Sequence, residues 1–133
     1  MQHIDHIGIA VKNLAESESL FSSLLNIKPY KREQIESESV ITSFFKTGET
    51  KIELLESTNE NSAISKFLEK KGEGIHHIAF EVKDIKSEIQ RLVNEGFTLI
   101  NDQPKIGADN KLVCFLHPKS TKGVLIELVQ SIL

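Results

Sequence analysis

Alternation of apolar and polar positions opens the chain. Ile7, Ile9 and Val11 fall on one side of a strand and Ile4, His6, Gly8 and Ala10 on the other, because successive strand residues face opposite ways. The period then changes. Asn13 is a natural N-cap, and Leu14, Phe21, Leu24 and Leu25 follow at loosely helical spacing, which predicts a capped helix. Strands are predicted next over residues 30–36, 40–46 and 51–56, with Thr47-Gly48-Glu49-Thr50 as the hairpin turn between the last two. A connecting helix over 62–71 can pack Ile64, Phe67 and Leu68, and 72–74 is a glycine-bearing linker.

The same order then starts again. Ile78, Phe80 and Val82 take one side of a strand, and Ile75, His77, Ala79 and Glu81 the other. Asp84 caps a helix whose stripe is Ile85, Ile89, Leu92 and Val93, and Gly96 ends it. Strands over 97–102, 111–117 and 123–130 complete the second copy. The residues themselves repeat. Asp5-His6-Ile7-Gly8-Ile9-Ala10-Val11-Lys12 matches His76-His77-Ile78-Ala79-Phe80-Glu81-Val82-Lys83 at an offset of 71, and Lys51-Ile52-Glu53-Leu54-Leu55 matches Leu125-Ile126-Glu127-Leu128-Val129 at an offset of 74. The expected fold class is therefore α+β: two tandem βαβββ modules forming a curved mixed sheet around a metal-binding cavity. It is read as one domain over 1–133, with module one at 1–71, a linker at 72–74 and module two at 75–133.

Parity points to chemistry. In each copy the face away from the helix carries one imidazole and one carboxylate: His6 with Glu53, and His77 with Glu127. Two modules meeting about a pseudo-twofold axis would bring all four together. Two buried carboxylates at close range need a cation to neutralise them, so His6, Glu53, His77 and Glu127 are the candidate metal ligands. A set of two nitrogens and two oxygens suits cobalt, zinc, nickel, manganese or iron(II) without choosing among them. By the same parity His76 turns to the helix side and is structural, while His3 and His117 have no counterpart in the repeat.

Composition narrows the rest. With 133 residues, 39% apolar and 26% charged, the chain suits one globular domain. A net charge of −3 with scattered Lys and Arg offers no stripe for nucleic acid, and no run approaches the roughly 18 apolar residues of a membrane helix. With no leader-like start, a cytoplasmic location is expected. Cys114 stands alone inside Leu112-Val113-Cys114-Phe115-Leu116 and reads as a buried structural thiol. GxGxxG, phosphate-loop, CxxC and GxSxG patterns are all missing from the sequence.

Ile4-Asp5-His6-Ile7, Ile75-His76-His77-Ile78-Ala79, Pro104-Lys105-Ile106-Gly107, Phe115-Leu116-His117-Pro118-Lys119-Ser120 and Lys122-Gly123-Val124-Leu125-Ile126-Glu127-Leu128 together resemble the vicinal oxygen chelate superfamily over essentially the whole chain, and within it the methylmalonyl-CoA epimerase family. The resemblance implies interconversion of (2R)- and (2S)-methylmalonyl-CoA through an enolate stabilised by a divalent metal. It also implies catalytic carboxylates at Glu127 and Glu53 and an acyl-CoA substrate whose phosphates Lys105, Lys119 and Lys122 could meet. One position departs from that family: some members carry a further glutamate where this chain has Thr42, and Glu36 and Glu38 nearby read as solvated charges. A lactoylglutathione lyase of glyoxalase I type uses the same ligand logic and is the alternative. A metal-free ligand-binding protein of the same fold ranks lower, and an extradiol dioxygenase lower still. A homodimer is expected.

Overall fold

A computed structural model describes residues 1–132. Its elements are β1 (His3–Ala10), α1 (Leu14–Leu25), β2 (Lys31–Ile35), β3 (Val40–Thr47), β4 (Thr50–Ser57), α2 (Ala63–Lys71), β5 (Gly74–Glu81), α3 (Ile85–Asn94), β6 (Lys105–Ile106), β7 (Lys111–Leu116) and β8 (Ile126–Ser131). The class is mixed α+β, as the two hydrophobic periods imply. Two compact units are present, one of residues 7–76 and one joining residues 1–6 to 77–133. Strand β1 contributes to both.

In the unit of residues 7–76 the strand order is β2-β3-β4-β1. β2 to β4 form an antiparallel meander in which Glu53 stands opposite Phe44, and Thr42 opposite Leu55. Gly48 at φ 68° turns the hairpin, a conformation that costs a residue with a Cβ more than it costs glycine. Val11, Leu14, Phe45 and Leu54 are buried together, with Ile9, Phe21, Leu25, Ile41 and Ile52 packed around them. Among them, Ile9, Val11, Ile52 and Leu54 are the strand residues that parity assigns to the helix side, and Leu14, Phe21 and Leu25 belong to the predicted helix stripe, whose Leu24 is instead exposed.

In the other unit the order is β5-β8-β7-β6. β5 runs parallel to β8, with Ala79 opposite Glu127, and β8 runs antiparallel to β7. Val82, Ile85, Leu92, Cys114, Leu116 and Leu128 make the core under α3. A second, smaller buried group, Ala79, Val113 and Val129, lies apart from it. Cys114 and three of the α3 stripe residues, Ile85, Ile89 and Leu92, are where the sequence puts them, whereas Val93 is exposed; the Cys114 thiol donates to the Asn101 carbonyl at 3.5 Å.

Backbone hydrogen bonds repeat with the sequence. Val11 N donates to Leu55 O at 2.9 Å, and Val82 N donates to Val129 O at 2.9 Å, so both offsets of the repeat are also structural equivalences. One predicted strand is displaced. Residues 97–102 form no regular strand: only Leu99 bridges Leu116, although Ile100 N donates to Phe115 O and His117 N to Thr98 O. The edge pairing is made instead by Lys105 and Ile106 opposite Val113 and Leu112, beyond Pro104, which lacks a backbone donor. There a Cβ at Gly107 would stand 3.0 Å from both Val113 methyls, which gives the glycine of Lys105-Ile106-Gly107 a packing reason. β8 likewise begins at Ile126 rather than at 123, because Val124 N is tied back to Thr121 O.

Candidate metal centre

Each of three strands in the unit of residues 1–6 and 77–133 delivers one donor. His6 comes from β1, His77 from β5 and Glu127 from β8, all buried. Ala79 stands opposite Glu127 in the sheet, and the Phe115 ring meets His77 edge-on with centroids 5.8 Å apart. His6 and His77 are themselves perpendicular, at 88°. Their Nε2 atoms lie 3.0 Å apart, and each is 3.1 Å from Glu127 Oε1.

This triangle tests the fit to a metal. An ion bonded at about 2.1 Å to three donors set at right angles holds those donors about 3.0 Å apart, and the observed spacings match. His6, His77 and Glu127 are one group of donor atoms close enough to hold a metal ion. Burial by itself pushes the Glu127 carboxyl up, but hydrogen bonds and positive charge from His6 and His77 outweigh it and bring it down to about 2. Glu127 is thus an anion ready to ligate.

The other predicted residues are placed as follows. Glu53 is buried on β4, at the position of the repeat equivalent to Glu127. Thr42 is 1% exposed on β3, and its hydroxyl has no hydrogen-bond partner among the described residues. Glu36 is exposed and Glu38 partly buried, both in a short 3-10 turn after β2. Lys119 and Lys122 are exposed on the turn following β7, and Lys105 is partly buried on the edge strand. His76 packs edge-on against Phe67 of α2, with centroids 5.0 Å apart, as its parity predicts. His117 accepts from Lys119 N at 3.1 Å and so caps the 3-10 turn over Pro118–Thr121.

These observations have counterparts among known proteins. The family model described as the glyoxalase/bleomycin resistance protein/dioxygenase superfamily matches residues 5–115. The chain belongs to that superfamily. It is 41% identical over 126 residues to the mitochondrial methylmalonyl-CoA epimerase of Dictyostelium discoideum, covering 94% of this chain and 76% of that protein. It is 39% identical over 129 residues to the ethylmalonyl-CoA/methylmalonyl-CoA epimerase of Cereibacter sphaeroides, covering 96% of each. Among solved structures, a Streptomyces coelicolor methylmalonyl-CoA epimerase in complex with 2-nitronate-propionyl-CoA superposes with a TM-score of 0.96 at 34% identity, covering 100% of this chain and 99% of that one. The vicinal oxygen chelate resemblance and the fold class drawn from the sequence are borne out.

Sequence reasoning missed two residues beside the triangle. Asp5 Oδ2 lies 2.8 Å from His6 Nδ1, and Lys111 Nζ donates to Asp5 Oδ1 at 2.7 Å. His3, Asp5 and Glu81 also offer donor atoms close enough together for a metal. The Lys111 ammonium, 2.7 Å from Asp5 and 3.8 Å from Glu81, already supplies positive charge to that second group. Nothing in the repeat signalled either contact, because the other copy carries His76 where Asp5 stands and Val40 where Lys111 stands.

Proposed function

We propose that this chain is a metal-dependent epimerase interconverting (2R)- and (2S)-methylmalonyl-CoA. The observation that carries the reading is the buried triangle of His6 Nε2, His77 Nε2 and Glu127 Oε1, found in a chain that resembles several proteins named as epimerases of this substrate. Glu53, buried at the equivalent place in the repeat, is the fourth ligand in this reading. A divalent ion held there supplies Lewis acidity toward the substrate's carbonyl oxygens. Cobalt, zinc, nickel and manganese all suit this donor set.

The reacting hydrogen sits on the carbon between a thioester carbonyl and a carboxylate, where loss of the proton gives a delocalised enolate. Epimerisation requires a base on one face and an acid on the other. Glu127 and Glu53 take those roles. Thr42 cannot stand in for either, because a hydroxyl holds its proton far too tightly at neutral pH. With the two imidazoles donating to it, Glu127 is a weak base. With an ion held by His6 and His77, those hydrogen bonds to Glu127 would be given up, which would leave its second carboxylate oxygen for the proton. Lys105, Lys119 and Lys122 serve as contacts for the coenzyme A phosphates, their ammonium groups being point charges suited to phosphate.

The reading includes a homodimer working in the cytoplasm. The exposed apolar Leu20 and Leu24 on α1 and the absence of any disulfide requirement support these two points, and sedimentation of the purified protein reads the first. The decisive assay incubates cobalt-loaded protein with methylmalonyl-CoA in deuterium oxide. Deuterium at C2, with no lactoylglutathione made from the hemithioacetal of methylglyoxal and glutathione, is expected. Lactoylglutathione formation without exchange at C2 would replace the epimerase by the glyoxalase I type lyase.

A further inference from the structure

The charged side chains behind His6 form a chain of contacts that the repeat does not predict and the reaction does not use. Asp5 is 2% exposed and Lys111 is 9% exposed. One oxygen of Asp5 faces His6 Nδ1 at 2.8 Å, and the other accepts from Lys111 Nζ at 2.7 Å. Lys111 reaches this place from the first residue of β7, where Lys111 stands opposite Ser131. Its ammonium is also 3.8 Å from Glu81 Oε1, and Glu81 is 3.7 Å from His3 Nδ1.

A buried carboxylate is costly unless a positive group and hydrogen bonds accompany it, and Lys111 is that group. A carboxylate only accepts hydrogen bonds, so His6 must donate through Nδ1. With Nδ1 carrying the hydrogen toward Asp5, Nε2, the atom 3.1 Å from Glu127 and 3.0 Å from His77, is the ring nitrogen left to give its lone pair to a metal. Such an outer hydrogen bond fixes ring orientation and raises the electron density of the ligating nitrogen. His77 sits beside the Phe115 ring and has no acidic residue before it: His76 occupies that position.

We propose that Asp5 and Lys111 act as a positioning pair for His6, Lys111 holding the Asp5 carboxylate in place and Asp5 fixing His6 with Nε2 toward the metal. The proposal rests on the metal reading above, and the test separates the two. Cobalt(II) binding to the full chain is followed by calorimetry and by the visible absorption of the bound ion. Wild-type protein that takes up no cobalt would remove the metal reading itself. Given wild-type binding, Asp5→Ala is expected to weaken cobalt affinity about 10- to 100-fold and to change the absorption band. Asp5→Asn, which keeps an acceptor near Nδ1, should recover part of that loss. Lys111→Met should weaken binding while Asp5 is present and add nothing further in the Asp5→Asn background. Thermal unfolding of each metal-free variant separates misfolding from lost ligation, and the Asp5→Asn/Lys111→Met double variant, with both charges removed, avoids an unpaired buried charge. Wild-type affinity and an unchanged band in folded Asp5→Ala would overturn the proposal. So would losses at Asp5 and Lys111 that multiply independently.

Discussion

Glu18 shows how much one exposed-side carboxylate can be organised by its neighbours. It projects from α1 to Arg32, whose Nε donates at 2.9 Å, and accepts from the buried Ser43 hydroxyl at 2.5 Å. The Arg32 hydrogen bond is the main cause of a Glu18 pKa below the ordinary value. Burial opposes that shift, and Ser43 and the charge of Arg32 reinforce it. A carboxyl lowered on folding adds stability above its unfolded value and loses it as pH falls through the folded one. Glu18→Gln should thus destabilise by about 0.5–1 kcal/mol at pH 7, an amount held down by the exposure of Arg32. In urea unfolding the gap between the two proteins should narrow below about pH 4.3. A gap that stays constant down to pH 2 would show that charge contributes nothing there.

Helix starts are written twice, once locally and once by tertiary contact. Asn13 accepts from Glu16 N at 3.0 Å, and Asp84 accepts from Ser87 N at 3.3 Å, as N-cap preferences predict. A second acceptor comes from a distant strand in each copy. Leu14 N donates to Glu56 Oε1 at 2.7 Å, and Ile85 N donates to Gln130 Oε1 at 2.8 Å. Leu14 and Ile85 are equivalent in the repeat, and so are Glu56 and Gln130, yet only the local caps were readable from the chain. Because Ile85 N keeps Gln130, Asp84→Ala should cost about 1 kcal/mol and leave the denaturant slope unchanged. A loss above about 3 kcal/mol would mean that α3 depends on Asp84 alone.

At the scale of the whole molecule the donors are far apart in sequence and meet only through strand placement. If His6, His77 and Glu127 hold an ion, binding stabilises the folded state by mass action, by about 2.7 kcal/mol at a free concentration 100 times the dissociation constant. A chelator should accordingly lower the unfolding temperature of purified protein, and His77→Ala should remove that response. Equal melting temperatures with and without chelator in protein shown to contain metal would place the ion elsewhere.

Periodicity, caps and the internal repeat were legible in the sequence because they depend on neighbours a few residues away: strand parity put Ile126 and Leu128 in the core, and kept His77 and Glu127 off it. The repeat also made the choice of His6, His77 and Glu127 readable as equivalent positions. Tertiary structure alone decided that these three atoms come within 3.1 Å, that residues 1–6 join 77–133, and that residues 97–102 give way to a two-residue edge strand. It alone brought Lys111 to Asp5 across 106 positions. Parity sends adjacent side chains to opposite faces, so the contact of Asp5 with His6 also lay outside what a local pattern could express. Local rules specify direction, whereas convergence depends on how the strands pair.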